Sequence, residues 1–225
     1  GIVMVFFDDL ETRSGDERAA EIADALPRQI ARAKALGGYK TTLADITAQD
    51  VNSAMALARL PVLRKSDLSQ AQGAASPFGG FTTRTATGFG HIFQSPGPIY
   101  EPGGIEMDWW RMGRFLHACG IGSDDIVQNC FAYHLTPAGM IFESGARAVG
   151  ATVLPAGTGQ TELQVRAAVD IGATAYAGTP DYLKVILDSA DEMGETLHIT
   201  KAAVGGGALF PSLRQEYADR GIACL

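Results

Sequence analysis

The stretch Ile126-Val127-Gln128-Asn129-Cys130-Phe131 is short and mostly apolar, and Thr136-Pro137 follows a few residues later. The run reads as a strand. Proline is well suited to a first helical position, where its missing N–H would have no intrahelical partner, so a helix is predicted to start at Thr136-Pro137. The same phrase recurs downstream. Ala151-Thr152-Val153-Leu154 reads as a strand and residues 161–169 as a helix. Ala173-Thr174-Ala175-Tyr176 is a strand, and Thr179-Pro180 opens a helix running to about Met193. Lys201-Ala202-Ala203-Val204 is a strand, residues 211–218 a helix, and Gly221-Ile222-Ala223-Cys224-Leu225 a last strand. Alternating strands and helices with short connections predict an α/β fold: a mostly parallel sheet flanked by helices. The repetition is architectural, with no sequence repeat beneath it. The chain stops in or just after a strand. An unpaired strand side invites association, so the sequence reads as a fragment or one half of a larger protein, and a homodimer is admitted.

Upstream the pattern is helical. Ser14-Gly15-Asp16-Glu17 has the form of a capping box, and Ala20, Ala23, Leu26, Ile30 and Ala33 recur at helical spacing. Pro27 is expected to kink or divide that helix, and Gly37-Gly38 to end it. Thr47-Ala48-Gln49-Asp50 predicts a second helix to about Ala58. Residues 60–68 form a connector to a further short helical turn. Residues 73–90 read as loop anchored by Phe78, Phe81 and Phe89. His91-Ile92-Phe93 and Ile99-Tyr100 flank a Gly- and Pro-rich turn, predicting strand, loop, strand. Residues 107–119, with Trp109, Trp110, Phe115 and Leu116, predict a helix. The domain expectation is a helical amino-terminal segment, residues 1–72, and an α/β region, residues 73–225.

With 225 residues the chain can bury one sizeable core or two small ones. A formal net charge of -7 argues against nonspecific nucleic-acid binding, which needs basic surface. No apolar stretch approaches the roughly 20 residues that span a bilayer, so no membrane partner is expected. Residues 1–7 are apolar but short, lack a basic leader and run into Asp8 and Asp9. They do not read as a signal peptide, and an edge strand is one reading of them. Cys119, Cys130 and Cys224 lack CxxC spacing. They read as reduced, buried thiols in a cytoplasmic protein, and no nucleophile is assigned among them.

Three segments carry a resemblance: Asn129-Cys130-Phe131-Ala132-Tyr133-His134-Leu135-Thr136-Pro137-Ala138-Gly139, Pro155-Ala156-Gly157-Thr158-Gly159-Gln160-Thr161 and Gly178-Thr179-Pro180. With the turn around Ser95, their order from Leu60-Pro61-Val62 to Leu225 resembles the phenylacetate-CoA ligase branch of the adenylate-forming superfamily. The resemblance implies the large amino-terminal domain of such an enzyme. It also implies a reaction: an aromatic carboxylic acid is joined to AMP with ATP and Mg²⁺, and the acyl group then passes to the thiol of coenzyme A. A carboxylate does not react with a thiolate. The adenylate makes the carbonyl electrophilic, and the enzyme must hold two anions in reacting geometry. Such a site needs amide donors and cations for phosphates, an apolar slot for the acid and a flat groove for adenine.

The family's phosphate loop reads Ser-Ser-Gly-Thr-Thr-Gly followed by Lys-Pro. Here it is Ser95-Pro96-Gly97-Pro98-Ile99-Tyr100-Glu101-Pro102. Ser95, Gly97 and Pro102 match. The threonine hydroxyls, the last glycine and the lysine do not. Pro96 and Pro98 remove amide donors, and Glu101 places an anion where the family has a cation. Weak ATP binding is expected here; a stiff structural turn and a working variant loop both remain open.

The resemblance further implies that Gly205, Gly206, Gly207 and Ala208 let adenine and ribose lie against backbone, which glycine permits. It gives Tyr133, His134, Gly139, Gly178 and Thr179 to the acid's side. Tyr133 otherwise reads as a core aromatic, His134 as a structural side chain, and the glycine turn as a tight connection. The segment from Gly157 to Glu162 reads as a loop capping the next helix through Thr161. Catalytic residues are expected beyond Leu225, as are the Mg²⁺ ligand and the mobile carboxy-terminal domain with its lysine. No metal cluster is read within the chain, and the piece alone is expected to be inactive. One rival is a noncatalytic acyl- or nucleotide-binding homologue with a decayed phosphate loop. The other, a nucleotide-binding oxidoreductase, lacks the G-x-G-x-x-G spacing.

Overall fold

The computed structural model describes residues 5–225. Residues 1–4, part of the run read as an edge strand, lie outside the described residues. The chain forms two compact units, Gly1–Gly104 and Ile105–Leu225. Residue 72, where the sequence placed a domain boundary, falls inside a helix of the first unit.

That unit opens with helix α1, Gly15–Lys34. The Glu17 N–H donates to Ser14 Oγ at 3.1 Å, and the Ser14 N–H donates to the Glu17 carboxylate at 3.0 Å, closing the capping box. Pro27 lies inside α1, yet the helix is one element; a single missing N–H does not divide twenty residues. The helix predicted from Thr47 is broken instead. A 3-10 turn, Ala48–Asp50, is followed by the single-turn helix α2, Ala54–Leu57. Ser53 accepts the Ala56 N–H at 3.1 Å, so its hydroxyl starts a new helix where continuation was expected. Helix α3, Lys65–Ala74, is longer than the short turn predicted there.

Strands β1, His91–Ser95, and β2, Ile99–Gly103, pair antiparallel, with Ser95 opposite Ile99. The predicted strand-loop-strand is therefore a hairpin closed by three residues. The Gln72 side chain ties α3 to it. Gln72 Nε2 donates to the Tyr100 carbonyl at 2.7 Å, and the Tyr100 N–H donates to Gln72 Oε1 at 2.9 Å.

In the second unit the predicted long helix shrinks to α4, Gly113–Ala118. Asp108 and Arg111 adopt left-handed backbone, which ends any helix through the tryptophans. The Asp108 carboxylate instead accepts the Gly113 N–H, at 3.0 and 3.2 Å. Then the alternation begins: β3, Ile126–Asn129; α5, Ala138–Ala148; β4, Thr152–Leu154; α6, Thr161–Ile171; β5, Ala175–Gly178; α7, Pro180–Glu192; β6, Lys201–Val204; α8, Pro211–Asp219; β7, Ala223–Cys224. The five strands form one parallel sheet in the order β4-β3-β5-β6-β7. The α/β reading holds. Every residue of β5 is buried, as a central parallel strand covered on both faces requires.

Alternation along the strands splits the core in two. Val127, Ala175, Ala177 and Ala203 pack with Leu116 and Ala146 on the α4/α5 face. Tyr176, Ala202 and Cys224 pack with Val165, Leu183, Ile186 and Tyr217 on the α6/α7/α8 face.

A polar clasp joins the amino ends of the strands. Asp125 is 5% exposed. Its carboxylate takes Lys201 Nζ at 2.8 Å, the Thr174 hydroxyl at 2.8 Å and the Gly122 N–H at 2.9 Å. Burial alone would raise this carboxyl. The bonds from Lys201, Gly122 and Thr174, with the lysine charge, outweigh that and hold it below its ordinary value. A carboxyl depressed in the folded state contributes stability above its unfolded value of about 3.9, lost as pH falls through the folded value. Asp125→Asn is therefore expected to cost about 1–3 kcal/mol at pH 7 and to flatten the acid limb of stability. Urea unfolding of both forms between pH 7 and pH 2 checks this; equal acid limbs would refute the clasp.

Candidate functional site

In a parallel sheet the loops after the strands share one edge, where α/β proteins hold ligands. Two consecutive residues organise that edge here. Gln128 and Asn129 end β3, are 0% and 1% exposed, and project to opposite faces. Asn129 Nδ2 donates to the Gly139 carbonyl and to the Tyr133 hydroxyl, both at 2.8 Å. Its own carbonyl accepts the Gly157 N–H at 2.9 Å. Gln128 Nε2 donates to Gln164 Oε1 at 2.9 Å. Gln164 Nε2 in turn donates to the carbonyls of Gly157 and Gly159, each at 2.9 Å. The loops after β3 and β4 thus hang on two buried amides.

Tyr133 is half-buried beside Asn129, and its hydroxyl also donates to Glu143 at 3.4 Å. Burial, reinforced by the Glu143 charge, pushes the phenol up, so it stays protonated at neutral pH. Its ring lies against Gly139, where an added Cβ would stand 2.8 Å from both the ring and the Ala132 carbonyl. Gly139 is thus a packing glycine. His134 is exposed on the same loop.

Gly178 closes β5 and is buried. A Cβ there would meet the Tyr176 hydroxyl at 2.3 Å, and that hydroxyl donates to the Thr179 carbonyl at 2.7 Å. Thr179 is exposed at the start of α7. The Gly205 N–H donates to the Gly178 carbonyl at 3.2 Å, tying the end of β6 to that of β5. Gly206 has φ +74, a left-handed conformation glycine adopts without strain. Gly206, Gly207 and Ala208 are exposed. Below this turn Phe131 and Phe142 stack at 4.0 Å between centroids. A Cβ at Gly205 would reach Phe142 at 3.6 Å and Phe131 at 3.8 Å. Tyr133, Gly178, Thr179 and the Gly205 turn therefore all follow carboxyl ends of strands in one sheet.

Sequence reasoning missed Gln128, Asn129, Gln164 and the Phe131–Phe142 stack. Two adjacent amides inside an apolar strand were the available signal. Thr161 does not cap α6 as expected: Gln160 is the cap residue, in left-handed backbone, and the Thr161 hydroxyl pairs with that of Tyr182 at 3.1 Å. Pro137 precedes α5 at its cap position, one residue before the expected place. Burial pushes Cys130 up to about 12, which keeps it a thiol.

Ser95 and Gly97 belong to the first unit. Of the three turn residues Pro96, Gly97 and Pro98, only Gly97 carries an N–H, and its φ is +145. This turn does not fit a phosphate cradle built from successive amides. Arg64, at the cap position of α3, and Lys65, its first residue, share a groove with Ser95 and Glu101. Among the described residues, no group of three or more His, Cys, Asp or Glu side chains is placed to hold a metal. No helix among them is long and apolar enough to cross a membrane.

The parallel sheet with its carboxyl-end loops matches in fold the amino-terminal domain of adenylate-forming ligases. Among proteins of known sequence, the chain is similar to phenylacetate-coenzyme A ligases. It is 29% identical over 163 residues to that of Aromatoleum evansii, covering 69% of this chain and 36% of the relative. It is 26% identical over 175 residues to that of Thermus thermophilus, covering 74% and 38%. The chain thus spans little more than a third of the length of these relatives. Among solved structures, 2-hydroxyisobutyryl-CoA ligase in the postadenylation state superposes with a TM-score of 0.87 at 20% identity, over 95% of this chain and 48% of that one. At that identity the likeness is one of fold. No protein-family model matches the chain.

Gly139→Ala should lower stability by about 1–3 kcal/mol, although alanine gains about 1 kcal/mol of helix propensity inside α5. Gly207→Ala, whose Cβ would meet Pro180 at an ordinary 3.4 Å, should stay within about 0.5 kcal/mol. Thermal or urea unfolding of the pair measures the contrast, and equal effects would remove the packing role given to Gly139.

Proposed function

We propose that this chain is part of an acid–thiol ligase that activates a carboxylate, aromatic in type, as its acyl-AMP and transfers the acyl group to coenzyme A. The observation that carries the reading is the gathering of Tyr133, Gly178, Thr179 and the Gly205–Gly207 turn at the carboxyl edge of one parallel sheet. The similarity to phenylacetate-coenzyme A ligases supports it. In this reading the glycine turn, with Ala208, gives a flat backbone face for adenine and ribose. Tyr133, with Gly139 fixing its ring and His134 beside it, bounds the acid together with Gly178 and Thr179. Phe131 and Phe142 form the apolar floor beneath the turn. ATP supplies the leaving group that makes the carboxylate carbon electrophilic. The chain's own work is to orient and to exclude water. Ser95 and Gly97 would meet phosphate oxygens only singly. Groups that hold Mg²⁺ and the transferring phosphoryl centre would come from sequence beyond this chain.

A second reading has its own observation. The closed three-residue turn, with two prolines and Glu101 after it, favours a homologue that binds an acyl or nucleotide ligand without performing adenylation. Pyrophosphate release with ATP, Mg²⁺, CoA and a panel of aryl and fatty acids separates the two. The 225-residue chain alone is expected to give no turnover. The same chain extended by the remaining length of its relatives is expected to turn over an aryl acid. Silence of the extended protein, with ligand binding intact, would establish the noncatalytic reading.

A further inference from the structure

We propose that the open edge of β4 is an interface between two copies of this chain. A two-fold axis at Val153 relates them and sets Glu143 of each copy against Arg147 of the other. The interface lies wholly in the second unit and does not rest on the ligase reading. β4 ends the sheet order β4-β3-β5-β6-β7, and among the described residues no strand pairs with its outer side. The Thr152 N–H donates to the Asp125 carbonyl, on the β3 side. Backbone groups alternate in direction along a strand, so Val153 turns its N–H and C=O outward. Two antiparallel strands that meet at Val153 exchange both bonds of that residue, as a hydrogen-bonded pair does. Pro155 has no N–H, and the Ala151 N–H is taken by the Ala146 carbonyl. Strand pairing therefore stops at two bonds, too few to select a partner, and the helix above must supply the rest.

A groove of about 410 Å³ separates β4 from α5, lined by residues 150–153 and by Glu143 and Arg147 of the helix. Gly145, midway between those two, turns toward the start of α4: an added Cβ would stand 2.9 Å from the Met112 side chain. At about 100° per residue, positions two before and two after Gly145 lie on the far side of the helix. Glu143 and Arg147 therefore share the flank away from α4, above the open edge. Their height also matches. From Ala151 to Val153 the strand climbs about 7 Å. The same length back along α5 from Ala148 is about four or five residues, which is Ser144 or Gly145. An axis through Val153 thus passes between Glu143 and Arg147. A two-fold normal to the sheet keeps both α5 helices on one face, antiparallel, so each glutamate faces the other copy's arginine. Both charges are available. Arg147 is exposed, and among the described residues its side chain enters no ion pair or hydrogen bond. The Glu143 carboxylate takes the Tyr133 hydroxyl through Oε1, at 3.4 Å, and has no other partner among them. Of the residues that line the groove these two are charged, one of each sign. Such a groove favours neither an anion nor a cation. A copy of itself, with the signs reversed about the axis, matches it.

The test is sedimentation equilibrium of the 225-residue chain at concentrations up to roughly 1 mM. A concentration-dependent dimer is expected. Arg147→Glu should weaken it about tenfold or more, because like charges then face each other at both symmetric contacts. Adding Glu143→Arg to Arg147→Glu restores opposite signs and should return the dissociation constant to within about threefold of the original. Val153→Pro removes the outward N–H and none of the bonds to β3, and an edge strand tolerates proline. It should weaken the dimer about tenfold or more. Glu192→Arg, which changes an exposed acid of the same unit outside the groove, should have no effect. A chain that stays monomeric at every concentration overturns the interface. So does a dimer unmoved by Arg147→Glu or by a folded Val153→Pro, which would put the contact on another face. A loss that the double variant does not restore, or one that Glu192→Arg reproduces, overturns it as well. Should Val153→Pro fail to fold, as its circular dichroism would show, the loss in Arg147→Glu and its rescue decide alone.

Discussion

The buried amide pair Gln128–Asn129 is the constraint on which the carboxyl edge of the second unit's sheet depends. Burying an unpaired amide costs about 1–3 kcal/mol, so a strand that places two in succession must find partners on both faces of the sheet. Asn129 finds them in the loop that returns to α5, and the Gln128 amino group finds one in Gln164 on α6, while the Gln128 oxygen is buried without a partner among the described residues. Gln164 has no freedom in how it answers. Its amino group spans two carbonyls of the loop after β4, so its oxygen must face Gln128 and the Cys130 thiol. The two loops become rigid because hydrophobic packing alone would not have oriented them. Burial sets the position of the strand, and the amides set the shape of the loops at its carboxyl end.

The carboxyl-terminal half of the fold was legible because its local signals agree. Proline opens α7 and α8, glycine in left-handed backbone ends α6, and each strand is a short apolar run bounded by turn residues. The first unit was less legible for a physical reason. Apart from α1, its helices are short or weakly amphipathic, and the boundaries turn on single side chains. Ser53 starts a helix where periodicity ran through it, and in the second unit Asp108 with Arg111 stops one among apolar residues that pattern alone would have made helical. Neither event leaves a periodic trace.

The site was legible in part. Glycines after strands and a tyrosine near a strand end are visible as residue types, and the fold brought them to one edge. Invisible were the links that make the edge a structure: a tyrosine hydroxyl shared between Asn129 and Glu143, and the stack of Phe131 on Phe142 from separate elements. Both depend on how α5 lies over β3, which no local pattern encodes. The hairpin shows the opposite limit. Its two strands and turn were readable, but the pairing of Ser95 with Ile99 is a matter of register, and register decides how many amides are left to face a ligand.

The electrostatics of the second unit's edge constrain what chemistry it can do. Two ionisable groups there, the half-buried Tyr133 phenol and the buried Cys130 thiol, are both pushed up by desolvation and remain protonated at neutral pH. A poised nucleophile needs the reverse: a neighbouring cation or a helix start that lowers the thiol. A general base needs a value near the working pH. These two groups meet neither condition. They work as neutral hydrogen-bonding and packing elements. In the ligase reading proposed above, the reactivity is carried by the substrate: once the carboxylate is joined to a good leaving group, alignment and exclusion of water are what remain for these residues to supply.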